Sequence, residues 1–204
     1  MLLRAAMAAA LSISLAGCLG SNTPAISTKS AEDVGQRLQY SEFQGVDTFR
    51  LEKRSGVDYQ FQALTGNPDE PVHPFANGIY VRKLGFRADA PVYLVQFDLA
   101  RFEINPRISP QSEGFSYFIY PVAIDGEGHG IVGIFACDRQ DILDRARRVG
   151  LKIDCVDKGG VPIPFVSNRA DESALWTFLS GLLADGLFEW EDETGKNASS
   201  RLFR

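Results

Sequence analysis

Alternation of apolar and polar side chains marks two runs in the first half of the chain, residues 46–53 and 57–64, with apolar side chains at 49 and 51 and at 57, 59, 61 and 63. A period of two is typical of a strand with one buried face, and the Ser-Gly step between the runs suits a tight turn. These residues predict a hairpin. Residues 79–86 and 92–99 predict a second pair of strands.

A run in the middle of the chain has apolar side chains at both odd and even positions. Residues 115–124 carry aromatic side chains at odd and even positions, which predicts a central strand covered on both sides. A glycine-rich turn at 125–130 leads to a predicted strand at 131–136. Prolines predict a loop over 66–78, and an edge strand or a loop over 161–166.

Three segments have helical character. Residues 31–38 follow Ser30 as a candidate N-cap, residues 139–149 end before a glycine, and residues 170–184 carry apolar side chains at helical spacing after Asn168. The predicted fold is therefore α+β, a single domain in which two or three helices pack on a mainly antiparallel sheet.

Composition narrows the class of partner. The chain has 204 residues, 45% of them hydrophobic, so it is long enough for a substantial core. Its formal net charge is -5. A general nucleic-acid binder needs a positive field to displace counterions from phosphates, so we expect no nucleic-acid partner.

The first residues have the order of an export signal. Arg4 is followed by an apolar run at 5–15 and then by small residues. The run is about half of the ~20 residues that a membrane-spanning helix requires. The pattern therefore indicates a cleavable signal rather than a permanent transmembrane anchor.

The end of this signal, Leu15-Ala16-Gly17-Cys18, resembles the lipobox of bacterial lipoproteins. The resemblance covers only the first 18 residues. It implies that Cys18 becomes the mature N-terminus, with diacylglycerol on its sulfur and, in many bacteria, an acyl group on its amine. The alternative is an ordinary secretory signal in which Cys18 is incidental.

This interpretation sets the expected domain boundaries and location. Residues 1–17 would be removed, 18–30 would form the lipidated terminus and a flexible tether, 31–190 would fold, and 191–204 would form a flexible tail. The protein would face the periplasm from a membrane of the cell envelope. Leu19, where enteric inner-membrane lipoproteins have Asp, favours the outer membrane.

Two further cysteines, Cys137 and Cys155, flank the predicted helix 139–149. A helix of that length travels ~16 Å, and a following strand of about five residues returns nearly the same distance. An exported protein meets an oxidising compartment, so a disulfide is expected. Free buried thiols and a catalytic thiol are the alternatives, although no Cys-x-x-Cys motif supports the latter.

The turn at 125–130 offers the most concentrated polar side chains. Asp125, Glu127 and His129 alternate along the chain and are candidate metal ligands. The intervening glycines equally suit a plain hairpin turn, which is the favoured interpretation, so no metal or cofactor is predicted.

No nucleophile elbow, zinc-protease motif, P-loop or dinucleotide fingerprint is present in the sequence. The leading hypothesis is a lipid-anchored module that binds an envelope partner or a ligand. The alternatives are an envelope hydrolase with a site assembled from scattered residues, and a structural or immunity-type lipoprotein.

Overall fold

The computed structural model describes residues 18–42, 47–64, 74–101, 116–125, 130–137, 139–158 and 161–191. Within these ranges the chain forms eleven strands and two α-helices, with a single 3₁₀ turn at Leu99–Arg101. The strands are β1 (Leu19–Ser21), β2 (Arg37–Glu42), β3 (Asp47–Ser55), β4 (Asp58–Leu64), β5 (Pro74–Arg87), β6 (Ala90–Asp98), β7 (Tyr117–Ile124), β8 (Gly130–Ile134), β9 (Ile153–Lys158), β10 (Val161–Val166) and β11 (Glu189–Glu191). The helices are α1 (Gln140–Arg148) and α2 (Glu172–Ala184).

All eleven strands belong to one sheet. Its main path runs β2-β3-β4-β5-β6-β7-β1-β10-β9, and β8 pairs with both β7 and β11. Among the described strands, β1 and β10 are the one parallel pair, and the other pairs are antiparallel. The prediction of a mainly antiparallel sheet accompanied by helices is therefore confirmed.

The sheet divides at β7. One edge of β7 pairs with β6 along its length, whereas the other edge is shared by two strands. β1 pairs with its first part, Tyr117 to Ile119, and β8 pairs with its last part, Val122 to Ile124. We call the point between these two partners the split. Beyond it, β1, β10 and β9 form one branch of the sheet, and β8 and β11 form the other.

Each face of the sheet carries its own apolar cluster, because successive side chains of a strand point to opposite faces. The helix-side core joins buried residues of both helices to residues of the sheet, among them Leu19, Ile26, Leu94, Ile119, Ile142, Leu175, Phe178, Leu179, Leu182 and Trp190. The second core lies on the opposite face and includes Cys18, Leu51, Tyr59, Ile79, Val95, Phe97, Phe118, Tyr120 and Ile163.

The hairpin predicted in the first half of the chain is confirmed as β3 and β4, and the second predicted pair of strands as β5 and β6. The double-sided aromatic run is confirmed as β7, which has partners on both edges. The structure thus agrees with the sequence at these five strands.

The predicted helix at 31–38 is wrong. Residues 31–35 have no regular structure, and β2 begins at Arg37. The backbone N–H of Glu32 donates to the carbonyl of Val81 in β5, and Gly35 has a φ of 101°. A backbone bonded to a neighbouring strand and turned at a left-handed glycine cannot continue a helix.

Two proline-rich segments differ from their predictions. β5 begins at Pro74, so the last part of the predicted loop 66–78 is a strand. β10 is an inner strand between β1 and β9 rather than an edge strand or a loop. It tolerates Pro162 and Pro164 because β1 pairs only with Phe165 and Val166, so the two prolines lie next to the split.

The C-terminal helix agrees with its prediction except at its start. α2 is capped by Asp171, whose side chain accepts from the N–H of Ala174 at 2.7 Å, and not by Asn168. Asn168 instead binds the backbone of Lys152 and Gly150. In the part of the chain that the structure describes, no helix is long and apolar enough to cross a membrane.

Candidate functional site

Cys18, the predicted lipidation site, directly precedes β1 at the split. Cys18 is 4% exposed and belongs to the second core together with Phe118 and Tyr120. The pairing of β1 with β7 begins at Leu19, so Cys18 lies outside the ladder. Cleavage before Cys18 would therefore leave every described strand and helix intact.

The flexible tether predicted for residues 19–30 is wrong. Residues 19–21 form β1, a strand in the interior of the sheet with β7 on one side and β10 on the other. Leu19 and Ala25 are fully buried, and Ile26 is 1% exposed. The first dozen residues after Cys18 are thus part of the folded domain.

Gln96 of β6 fastens this segment to the sheet. Its side-chain oxygen accepts from the N–H groups of Ala25 and Ile26 at 2.6 and 2.9 Å. Its amide nitrogen donates to the carbonyl of Ile26 at 2.8 Å. Gln96 is fully buried, and these three bonds satisfy both of its polar atoms.

A second attachment joins the segment to α2. The carboxylate of Glu172 accepts from the hydroxyl of Ser30 and from the N–H of Ser27 at 3.3 Å. Burial by itself would raise the pKa of Glu172, but these hydrogen bonds outweigh it and lower the pKa below its ordinary value. The hydroxyl of Thr23 also donates to the carbonyl of Ala170.

Cys137 and Cys155 form the predicted disulfide, with their Cα atoms 5.7 Å apart. Cys137 follows β8 and precedes α1, whereas Cys155 lies in β9. The bond therefore connects the two branches of the sheet that separate at the split. A closed loop of 18 residues corresponds to a stabilisation of about 3 kcal/mol.

The metal candidates lie mostly outside the described residues. Asp125 directly follows β7 and is half-buried, while Glu127 and His129 fall in the undescribed range 126–129. Among residues that the structure places, no group of three or more His, Cys, Asp and Glu side chains is arranged to hold a metal ion.

A polar cluster that sequence reasoning missed lies where β6 ends. Arg101 forms ion pairs with Asp58 at 3.8 Å and with Asp98 at 3.5 Å. Burial raises the pKa of Tyr80 and of Tyr117 nearby, and the Asp98 carboxylate raises both further. Both phenols are therefore neutral at pH 7.

The signals for these features were weak in the sequence because their partners are distant along the chain. Gln96 lies 70 residues from Ile26, and Ser30 lies 142 residues from Glu172. Comparison with known proteins finds no matching family, no similar curated protein and no similar solved structure.

Proposed function

We propose that this protein is a lipoprotein of the bacterial cell envelope, attached to its membrane through lipid on Cys18. One observation carries the proposal: the lipobox-like sequence Leu15-Ala16-Gly17-Cys18 ends one residue before the first strand of the domain. A mature chain that begins at Cys18 keeps the whole described fold. Two or more acyl chains on one residue would give stable membrane binding.

The anchored domain acts in this proposal as a binding or assembly module that faces the periplasm. A disulfide between Cys137 and Cys155 suits that compartment, because such bonds persist where the environment is oxidising. Leu19, in the position where enteric inner-membrane lipoproteins have Asp, favours the outer membrane. Leu19 is also a buried core residue, so its identity serves the fold as well.

The anchor is tested by the intact mass of protein purified from bacterial membranes. We expect a chain that starts at Cys18 and carries diacylglycerol, with loss of the lipid in the variant Cys18→Ala and in Leu15→Arg, which keeps the cysteine but disrupts the lipobox. The double variant Cys137→Ala/Cys155→Ala is the matched control and should keep its lipid. An unlipidated chain in the wild type would overturn the proposal.

The binding role is tested by chemical crosslinking in intact cell envelopes, followed by purification and mass spectrometry. Wild-type protein should yield one reproducible envelope partner, and unanchored Cys18→Ala should lose it. A wild-type protein that yields no partner above the background of an unrelated lipoprotein would contradict a role in assembly.

A further inference from the structure

We infer that docking of β1 into the sheet and lipidation of Cys18 exclude each other, so the lipid has to be attached before the domain completes its sheet. This order rests on the proposed lipidation of Cys18 and adds a regulation of that site. The fraction of the protein that becomes anchored is set by a competition between folding and modification.

The thiol of Cys18 is enclosed in the folded domain. Cys18 is 4% exposed, is not part of a disulfide, and belongs to the second core. Phe118, Tyr120 and Ile163 belong to the same core. A group transfer requires the reacting carbon of the lipid donor to come within about 3.5 Å of the sulfur. The packed side chains of the second core exclude a donor from that distance, so the thiol of the folded chain is not a substrate.

The group that would be attached is also too large for this position. In the transfer, a C–S bond forms between Cys18 and the glyceryl carbon of a phospholipid, the bond from that carbon to the phosphate oxygen breaks, and the thiol proton leaves with the phosphorylated head group. The product carries two fatty acyl chains on the sulfur. Protein interiors are close-packed and respond even to one added methylene. A lipidated Cys18 therefore cannot occupy the place of the unmodified thiol in the second core.

The backbone that follows Cys18 is equally inaccessible. Leu19 is fully buried. Gly20 pairs with Phe118 of β7 on one side and with Phe165 of β10 on the other. An enzyme that modifies Cys18, or cleaves the bond before it, has to bind the chain on both sides of that residue. A docked β1 is bonded along both edges, so its backbone is not available to such an enzyme.

β1 is also the strand that completes the sheet. Among the described strands, β1 alone joins the β9–β10 pair to β7. The disulfide of Cys137 and Cys155 ties β9 to the end of β8 without β1. The rest of the domain can therefore assemble with a gap between β7 and β10 while the residues around Cys18 are still held at the membrane for processing. Insertion of β1 into this gap is then the last step.

Once docked, the segment seldom reopens. Gln96 binds the backbone of Ala25 and Ile26, and the carboxylate of Glu172 accepts from the N–H of Ser27. Opening breaks these bonds and exposes buried apolar side chains, so the open form is populated at least about 100-fold less than the closed form. A chain that folds before it is modified is therefore withheld from the lipid donor.

The reactivity of the Cys18 thiol tests its enclosure. The full chain is synthesised in an oxidising buffer without membranes, so that it carries no lipid, and is treated with N-ethylmaleimide in native buffer or in concentrated urea. We expect alkylation of Cys18 to be at least about 100-fold slower in native buffer. Lys29→Cys in a Cys18→Ala background, at an exposed position of the same segment, is the matched control and should react at similar rates in both. Equally fast alkylation of Cys18 in both conditions would overturn the inference.

Transfer of labelled phospholipid in isolated bacterial membranes tests the order of events. Wild-type chain added from urea should acquire lipid at least about tenfold faster than wild-type chain folded beforehand. Folded Gln96→Met, in which the segment is held less firmly, should recover part of this rate, whereas folded Gln140→Met should resemble the folded wild type. Equal rates for folded and unfolded wild type would overturn the inference and leave lipidation of Cys18 standing. No transfer to either form, as expected for Cys18→Ala, would overturn the proposed lipidation and the inference with it.

Discussion

The segment after Cys18 and the C-terminal helix α2 contribute to the same core by different means. The segment contributes Leu19 and Ile26 to the helix-side core, and α2 contributes Leu175 and Leu179. Each of these four residues is at most 1% exposed. In α2 the apolar residues recur at helical spacing. In the segment they are isolated among small polar residues, and their burial depends on strands and side chains far along the chain.

The comparison shows that a lack of periodicity does not imply a lack of structure. A strand of three residues is too short to display a period, and hydrogen bonds from Gln96 replace the bonds of a regular element. The composition of residues 19–30 resembles that of a linker, yet Leu19, Ala25 and Ile26 are buried in the core.

Removal of a buried leucine should destabilise the protein equally in the segment after Cys18 and in α2. Leu19→Ala and Leu179→Ala should each lower the free energy of unfolding by about 3 kcal/mol, because each removes a fully buried side chain and leaves a cavity. Lys29→Ala, an exposed position in the same segment as Leu19, is the control and should change little. Urea denaturation measures all three. If Leu19→Ala behaved like Lys29→Ala, the segment would be a tether after all.

The next largest loss of stability is expected on removal of the hydrogen bonds between Gln96 and the backbone of Ala25 and Ile26. Gln96→Met keeps the length of the side chain but leaves two N–H groups and one carbonyl of the segment without partners. We expect a loss of about 2 to 3 kcal/mol in the same denaturation experiment. Gln140→Met, at an exposed glutamine of α1 whose side-chain amide donates to Asp144, should cost far less. Equal losses of unfolding free energy for the two variants would show that Gln96 does not hold the segment in place.

A smaller effect concerns the start of α2. Asp171→Ala should destabilise the protein by about 1 kcal/mol, because it removes the oxygen that accepts from the N–H of Ala174. Asp171→Asn retains a capping oxygen and should recover most of that loss. Thermal unfolding followed by circular dichroism measures both. An unchanged melting temperature for Asp171→Ala would show that the helix does not depend on this cap.

The smallest expected change in stability concerns Glu172 of α2, whose carboxylate binds Ser27 and Ser30 of the segment after Cys18. Its pKa is lowered in the folded protein from an ordinary value of 4.5, so the stability it adds is present above pH 4.5 and is lost as the pH falls through the folded pKa. Glu172→Gln should therefore flatten the acid side of the stability–pH profile while leaving its shape near pH 7 unchanged. A profile with the same acid slope in both proteins would contradict this role.

Much of the sheet was predictable because β3 and β4 contain runs with apolar side chains at every second position and β7 is apolar on both faces. The disulfide was predictable too, since helix and strand lengths bring Cys137 and Cys155 together. β1 was not predictable, because its pairing with β7 and β10 spans about a hundred residues or more. The environment of Cys18 depends on that pairing, so the sequence indicates the residue but not its place in the fold.

Hydrogen exchange of the mature protein tests whether the segment after Cys18 is an integral part of the core. The amide protons of residues 19–21, 25 and 26 and those of the core of α2 should exchange at similarly slow rates, because these residues are buried in the fold. Mass spectrometry of peptic fragments resolves the two regions in one sample. Slow exchange in both would support an integral N-terminal strand. Complete exchange of residues 19–26 within seconds, while α2 stays protected, would contradict it.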